Sequence, residues 1–348
     1  MSYVTKGRNV LHNGNFNVWQ RGTAAIAGVY PAAFTADRWS AAQFCDGTYT
    51  VAQSTDVPNL ASQFSLKAAC TGADATIGAA QLCWLQHTIE VSDFWDILGG
   101  RPMVLSFWVK AYQTGVFTLS LRESTSNSAS YTAEYTINAS ATWEKKTIQI
   151  PAPGATGTWS KTTGLACMSL NFGLAIGSNW QLAAGAWNGS NKLGTSNQTN
   201  FMSSTDNYIY FSQVQLEAGT AATEFDAIHY ADELARCQRY LVQYGGTAAY
   251  ERVGNGLVAT SSIATIAVNL PVTMRAAPAV TYNGVWSWAI FYGNNAISEC
   301  TAISMTNASP QTASMNCTVT GTPLTPGEAA TLGADNTTEA RLYLSAEI

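Results

Sequence analysis

Three tryptophans, Trp159, Trp180 and Trp187, stand in one stretch rich in Gly, Ser, Thr and Asn, residues 151 to 205, with Asn179 and Asn188 beside two of them. Indole faces stack on pyranose rings and side-chain amides bond sugar hydroxyls, so these residue types point to carbohydrate binding. The other use of the same rings is packing against a neighbouring subunit. Long loops in a compact domain serve function or interfaces, which suits either use.

Bond-breaking chemistry has little to stand on. His12, His87 and His229 are far apart in the sequence and none sits at metal-ligand spacing. There is no nucleophile elbow, phosphate loop or dinucleotide fingerprint. Asp93, Asp96, Glu134 and Glu144 offer carboxylates of the kind a glycosidase pairs, but solvated surface acids are the simpler reading. Cys45, Cys70, Cys83, Cys167, Cys237, Cys300 and Cys317 are scattered singly, and their odd number predicts free, mostly buried thiols. The expectation is a non-enzyme with no cofactor and no metal.

Charge narrows the partners. Only 11% of the 348 residues are charged, the formal net charge is -5, and no basic run occurs. Neither a nucleic acid nor another acidic polymer, such as an anionic lipid surface, is therefore expected as a partner. No run of 18 apolar residues occurs, which predicts no membrane insertion, and Met1–Asn9 lacks the apolar segment of a secretion signal.

These residues need a scaffold, and the alternation of apolar and polar residues predicts one made of strands. Gly99-Gly100-Arg101-Pro102 turns the chain into the apolar run Met103–Val109, a buried strand; Phe117–Arg122 alternates as its half-buried antiparallel counterpart. Phe64–Ala68, Thr147–Ile150 and Tyr208–Leu216 continue the pattern, with no helical period before residue 225. Tyr230–Tyr244 then places Leu234, Cys237, Leu241 and Tyr244 on one helical stripe, stopped by Gly245-Gly246. Strands resume at Ser262–Pro271, Ala279–Tyr282, Ser314–Val319 and Ala340–Ser345. The expected fold class is all-β: an antiparallel jelly-roll β-sandwich over residues 1–227, a linker helix over 228–246, and a smaller C-terminal β-sandwich over 247–348.

Three local patterns carry a resemblance. They are Asn13-Gly-Asn-Phe-Asn-Val-Trp-Gln-Arg-Gly22 with Thr35-Ala-Asp-Arg-Trp39; Gln213–Gly219 through Thr223-Glu-Phe225 to Glu233–Tyr240; and Leu270–Pro278 with Leu344–Ile348. In this order they resemble phage virion appendage proteins of the tail-fibre, receptor-binding type, and the Gly99-Gly100-Arg101-Pro102 turn, the strand ending in Ser106-Phe-Trp-Val-Lys-Ala111 and its partner Phe117–Arg122 resemble the middle of a carbohydrate-binding-module-like jelly roll. The resemblance implies a structural protein of the virion (tail fibre, tail tip or head decoration), made in the host bacterial cytoplasm. It also implies other virion proteins as partners, host-surface glycan as a possible ligand, and a homotrimer. Related modules often hold a structural calcium with acidic residues. Here Asn15, Asn17, Ser212 and Gln213 stand in those places, so no strong calcium site is expected.

The C-terminal domain adds a physical reason for a trimer. Between Ser261 and Leu332 only Arg275, Glu299 and Glu328 are ionised, while Trp286, Trp288, Ile290, Phe291 and Tyr292 crowd one segment. Packing three copies around an axis would bury such a cluster, which makes Trp286, Trp288, Phe291 and Tyr292 the expected interface. The alternative is that they fill the domain's own core.

Overall fold

A computed structural model describes residues 9–293 and 296–348; most of the stretch read for a secretion signal lies outside the described residues. Contacts divide the chain into two units, Met1–Glu233 with Ile348, and Leu234–Glu347.

The first unit is a sandwich of two antiparallel sheets. Sheet one orders Ile26–Ala27, Thr48–Ser54, Ser65–Gly72, Tyr208–Ala218, Met103–Ala111 and Glu144–Ile150. Sheet two orders Trp187–Asn188, Ser130–Ile137, Gly115–Glu123, Ala166–Ile176, Leu82–Glu90, Trp39–Phe44 and Ala33–Phe34. The chain crosses repeatedly from one sheet to the other, as in a jelly roll. Alternation drives the packing: Leu105, Phe107 and Val109 point inward from one strand, and Leu119 and Leu121 from another, all fully buried. Phe172 of sheet two sits between Phe107 and Phe211 of sheet one, at ring-centroid distances of 5.1 Å and 4.3 Å. Trp39 stacks on the same ring at 6.4 Å, so the signature Trp39 is core.

In the second unit the expected sandwich takes the form of a closed barrel with a separate three-stranded sheet. The barrel orders Arg252–Thr260, Ile263–Asn269, Thr312–Val319, Ala296–Ala308, Trp288–Tyr292 and Ala329–Ala334. Closure leaves the barrel no unpaired strand edge. It depends on a close approach at Gly256, where a Cβ would stand 1.8 Å from the Thr265 carbonyl oxygen.

Two expectations are corrected here. Trp288 is fully buried in the barrel core with Ile290, Met315 and Leu332, so it cannot be an interface residue; a strand that alternates sends it inward. Of the other three, Trp286 is 59% exposed, and Phe291 and Tyr292 are partly so. The helix is also shorter than its stripe. It spans Tyr230–Gln238, and Leu241–Tyr244 is a strand paired with Leu342–Ser345. The apolar pair Leu241-Val242 is buried better in a ladder than on one helical face. All seven cysteines are free thiols and six are buried; Cys300 and Cys317, both fully buried, form no disulfide.

Candidate functional site

Trp159 and Trp187 meet, their rings edge-on at 5.6 Å. Trp159 lies flat on Phe94 at 5.0 Å and 5°, and Trp95 stands against Phe94 at 5.0 Å and 90°. Tyr131 flanks Trp187 at 5.6 Å, because the edge strand Trp187–Asn188 pairs with Ser130–Ile137 at that residue. Phe94 and Trp95 come from the helical turn Phe94–Leu98, which Gly99 ends with φ 53. That left-handed conformation is the reason for glycine there.

One loop fixes all three indoles. The Nε1 groups of Trp95, Trp159 and Trp187 donate to the carbonyl oxygens of Ser160, Thr156 and Pro151 at 2.7, 2.8 and 2.7 Å. With their N–H groups bonded, the rings are held in place while all three stay half-buried. The Lys161 ammonium stands 5.3 Å from the centre of the Trp95 ring.

A buried carboxylate organises the neighbouring turn. Glu123 accepts from the backbone N–H groups of Thr125, Ser126 and Ser128 at 2.5, 2.9 and 3.2 Å, and from the Ser126 hydroxyl at 2.7 Å. Ser128 Oγ in turn accepts from the Thr158 N–H at 2.7 Å, beside Trp159. Burial opposes the charge on Glu123, but these donors outweigh it and hold the carboxyl below its ordinary range. A carboxyl depressed in the folded state contributes stability that is complete above its unfolded pKa and is lost as pH falls through the folded one. Glu123→Gln is therefore expected to cost about 1–3 kcal/mol at pH 7. Its melting temperature should also fall less than the wild type's between pH 6 and pH 3, which thermal melts at the two pH values check.

The remaining sequence-derived residues lie elsewhere or are engaged. Trp180 belongs to a separate apolar cluster with Leu82, Trp84 and Leu193, and its Nε1 donates to the Ala80 carbonyl at 3.1 Å. Asn179 is exposed beside it, with its carbonyl accepting from Lys192 Nζ at 2.8 Å. The Asn188 side chain is turned inward: Nδ2 donates to the Ser130 carbonyl at 2.9 Å and Oδ1 accepts from the Ser190 N–H at 3.1 Å. That amide serves the loop rather than a ligand, which corrects its assignment. Phe94, Trp95 and Tyr131 were not singled out from sequence. The signal was the Phe94-Trp95 pair just before Gly99-Gly100, since adjacent aromatics on a short helical turn cannot both enter the core.

The outer face of sheet two carries polar residues in register, Ser40, Gln86, Asn171, Ser120 and Thr132. Residues 183 to 193 cover part of it: Thr132, Ser130 and Thr118 donate to the carbonyls of Ala183, Ser190 and Leu193. Asn171, Ser120 and Ser169 are fully buried, so this face is not an open groove.

The residues at the expected calcium position do not fit that ion. Asn15 Oδ1 accepts from Ser62 Oγ at 2.8 Å, Ser212 Oγ lies 2.9 Å from Ser62 Oγ, and Gln213 Nε2 donates to Ser62 Oγ and Asn59 Oδ1 at 2.8 Å each. These neutral groups bond one another, in a bulge where Gln213 has φ 51, whereas calcium prefers several carboxylates. Among the described residues no group of three His, Cys, Asp or Glu is placed to hold a metal. His12 and His87, distant in sequence, do meet: the backbone N–H of His12 donates to His87 Nε2 at 3.1 Å, and His12 Nε2 lies 3.3 Å from Asp93 Oδ2. Both are buried.

No family model and no curated protein matches the chain. Among solved structures it is similar to the enzymatically active domain of tailspike protein 4 of bacteriophage CBA120, with 16% identity, 61% of this chain and 22% of that chain covered, and a TM-score of 0.33. It is also similar to a putative sugar-binding protein from Bacteroides thetaiotaomicron, with 13% identity, 61% and 100% covered, and a TM-score of 0.35. A family 11 carbohydrate-binding module from Clostridium thermocellum, in complex with a mixed-linked tetrasaccharide, shares 10% identity over 58% and 100%, with a TM-score of 0.31. The chain thus spans about a fifth of the tailspike domain's length. With TM-scores of this size, none of these likenesses carries a function to the chain.

Proposed function

We propose that this chain is a non-enzymatic, glycan-binding attachment protein of the phage virion appendage type. The observation that carries glycan binding is the set of three half-exposed indoles, Trp95, Trp159 and Trp187, tied by their N–H groups to one loop. Rings already held in place lose little freedom when a sugar stacks on them. The virion assignment rests on the sequence patterns around Asn13–Gly22, Gln213–Tyr240 and Leu270–Pro278. Asp93 faces His12, Glu134 accepts from Asn197 Nδ2 at 3.1 Å, and Glu144 accepts from Asn138 and Lys146, so the carboxylates that sequence offered for hydrolysis are engaged within the chain.

Affinity electrophoresis through gels containing bacterial surface polysaccharides tests the reading. At least one polymer is expected to retard the chain, with no new reducing ends after prolonged incubation. Release of reducing ends would replace this reading with an enzyme; retardation by none would remove glycan binding. We also propose a homotrimer built through the second unit, where Leu257, Trp286 and Ile297 are 58%, 59% and 49% exposed. Light scattering is expected to give three times 37.1 kDa, and a mass of 37.1 kDa at micromolar concentration would end that part of the proposal.

A further inference from the structure

The outer face of sheet one carries a row of alternating cations and rings that plays no part in the loop site. Strand register places Lys67 opposite Tyr210, and Tyr210 opposite Lys110. Trp143 continues the row, one residue before Glu144, which pairs with Val109. Lys67 Nζ stands 5.5 Å from the Tyr210 ring centre and 5.7 Å from that of Tyr208. Lys110 Nζ stands 4.6 Å from Tyr210 and 5.5 Å from Trp143. In the adjacent row Tyr112 packs on Tyr208 at 5.8 Å and is 47% exposed.

The two cations are not equivalent. Lys110 is nearly buried and paired with Asp56, which also accepts from Trp143 Nε1 at 3.0 Å. That pair fixes the Trp143 and Lys110 side chains. Lys67 is half-buried and forms no close ion pair among the described residues; Asp56 feels its charge at longer range but is bonded to Lys110 and Trp143, which leaves the Lys67 ammonium without an anion in contact. On a chain of net charge -5, this face brings two lysines together with three aromatic rings. Net charge governs long-range attraction, but contact recognition depends on the charges at the face itself.

We propose that this face is a second binding site, for an anionic polysaccharide of the uronic-acid class. Pyranose rings lie on Tyr208, Tyr112 and Trp143, and the Lys67 ammonium takes a carboxylate. The roots of Lys67 and Lys110 are two strands apart, about 10 Å at ordinary strand spacing. That is comparable with a disaccharide, so successive pyranose rings of a linear polyuronate can lie along the row while one carboxylate meets Lys67, Lys110 being already neutralised by Asp56. The site is independent of the tryptophan loop and holds or fails separately from it.

The test is affinity electrophoresis of the full chain in gels containing polygalacturonate, its fully methyl-esterified form, or inorganic polyphosphate. Polygalacturonate is expected to retard the chain, and Lys67→Gln and Tyr208→Ala to weaken the retardation by about tenfold in apparent Kd. Lys67→Arg should retain it, and Arg252→Gln, which removes the same charge from the barrel, should not change it. Trp187→Ala should also leave it unchanged. Thermal melts confirm that each variant is folded. The proposal is overturned by no retardation, by equal retardation of Lys67→Gln, or by equal retardation in the esterified polymer. Equal retardation by polyphosphate would overturn it as attraction to charge alone, and loss in Trp187→Ala would assign the binding to the loop.

Discussion

Trp187→Ala is expected to lower affinity for the retained glycan about thirtyfold, corresponding to about 2 kcal/mol, the usual size of an aromatic anchor. The ring stands edge-on to Trp159, beside Tyr131, on a two-residue edge strand. Its removal takes away one stacking surface and unseats the Trp159 edge, but the ring is only partly buried, at the rim of the sandwich core. The melting temperature should consequently change by only a few degrees. Trp187→Phe keeps an aromatic face but not the N–H bond to Pro151, so it should fall between wild type and alanine. Titration followed by tryptophan fluorescence separates the three proteins. Equal affinities would mean that the indole contributes nothing to binding.

The largest loss of stability is expected at Phe172. Its ring is fully buried between the sheets, touching Phe107, Phe211 and Trp39. Phe172→Ala removes the shared partner of four other rings, Tyr135 included, and leaves a cavity that strands held in two ladders cannot close. A cost of about 3–5 kcal/mol follows. For a unit of this size the melting temperature should drop by roughly 10 °C. Calorimetry on wild type and variant reads this directly. A drop of only a degree or two would mean that the sheets do not pack through this ring.

Local pattern carried the scaffold further than it carried the site. Met103–Val109 and Tyr208–Leu216 were legible as strands because apolar runs and alternation are properties of neighbouring residues, and the structure extends them only to Met103–Ala111 and Tyr208–Ala218. Leu241–Tyr244 was misread as helix because its apolar spacing fits a stripe, while the strand it pairs with, Leu342–Ser345, lies far along the chain. Barrel closure was illegible for the same reason. At the site, nearness in sequence was a poor guide: Trp180 and Trp187 belong to different apolar clusters, whereas Trp95 and Trp159 share a ring neighbour in Phe94. The row Lys67, Tyr210, Lys110 and Trp143 exists only through register between strands distant in the chain, so no local motif announces it.

The most direct measurement is a crystal structure of the full chain with an oligosaccharide from a polymer that retards it. The account predicts a pyranose ring lying on Trp187 or Trp95, beside the 151–160 loop, with the indole N–H groups still bonded to Pro151, Thr156 and Ser160. A sugar held only on the outer face of sheet two, after displacement of the segment that covers it, would contradict the account.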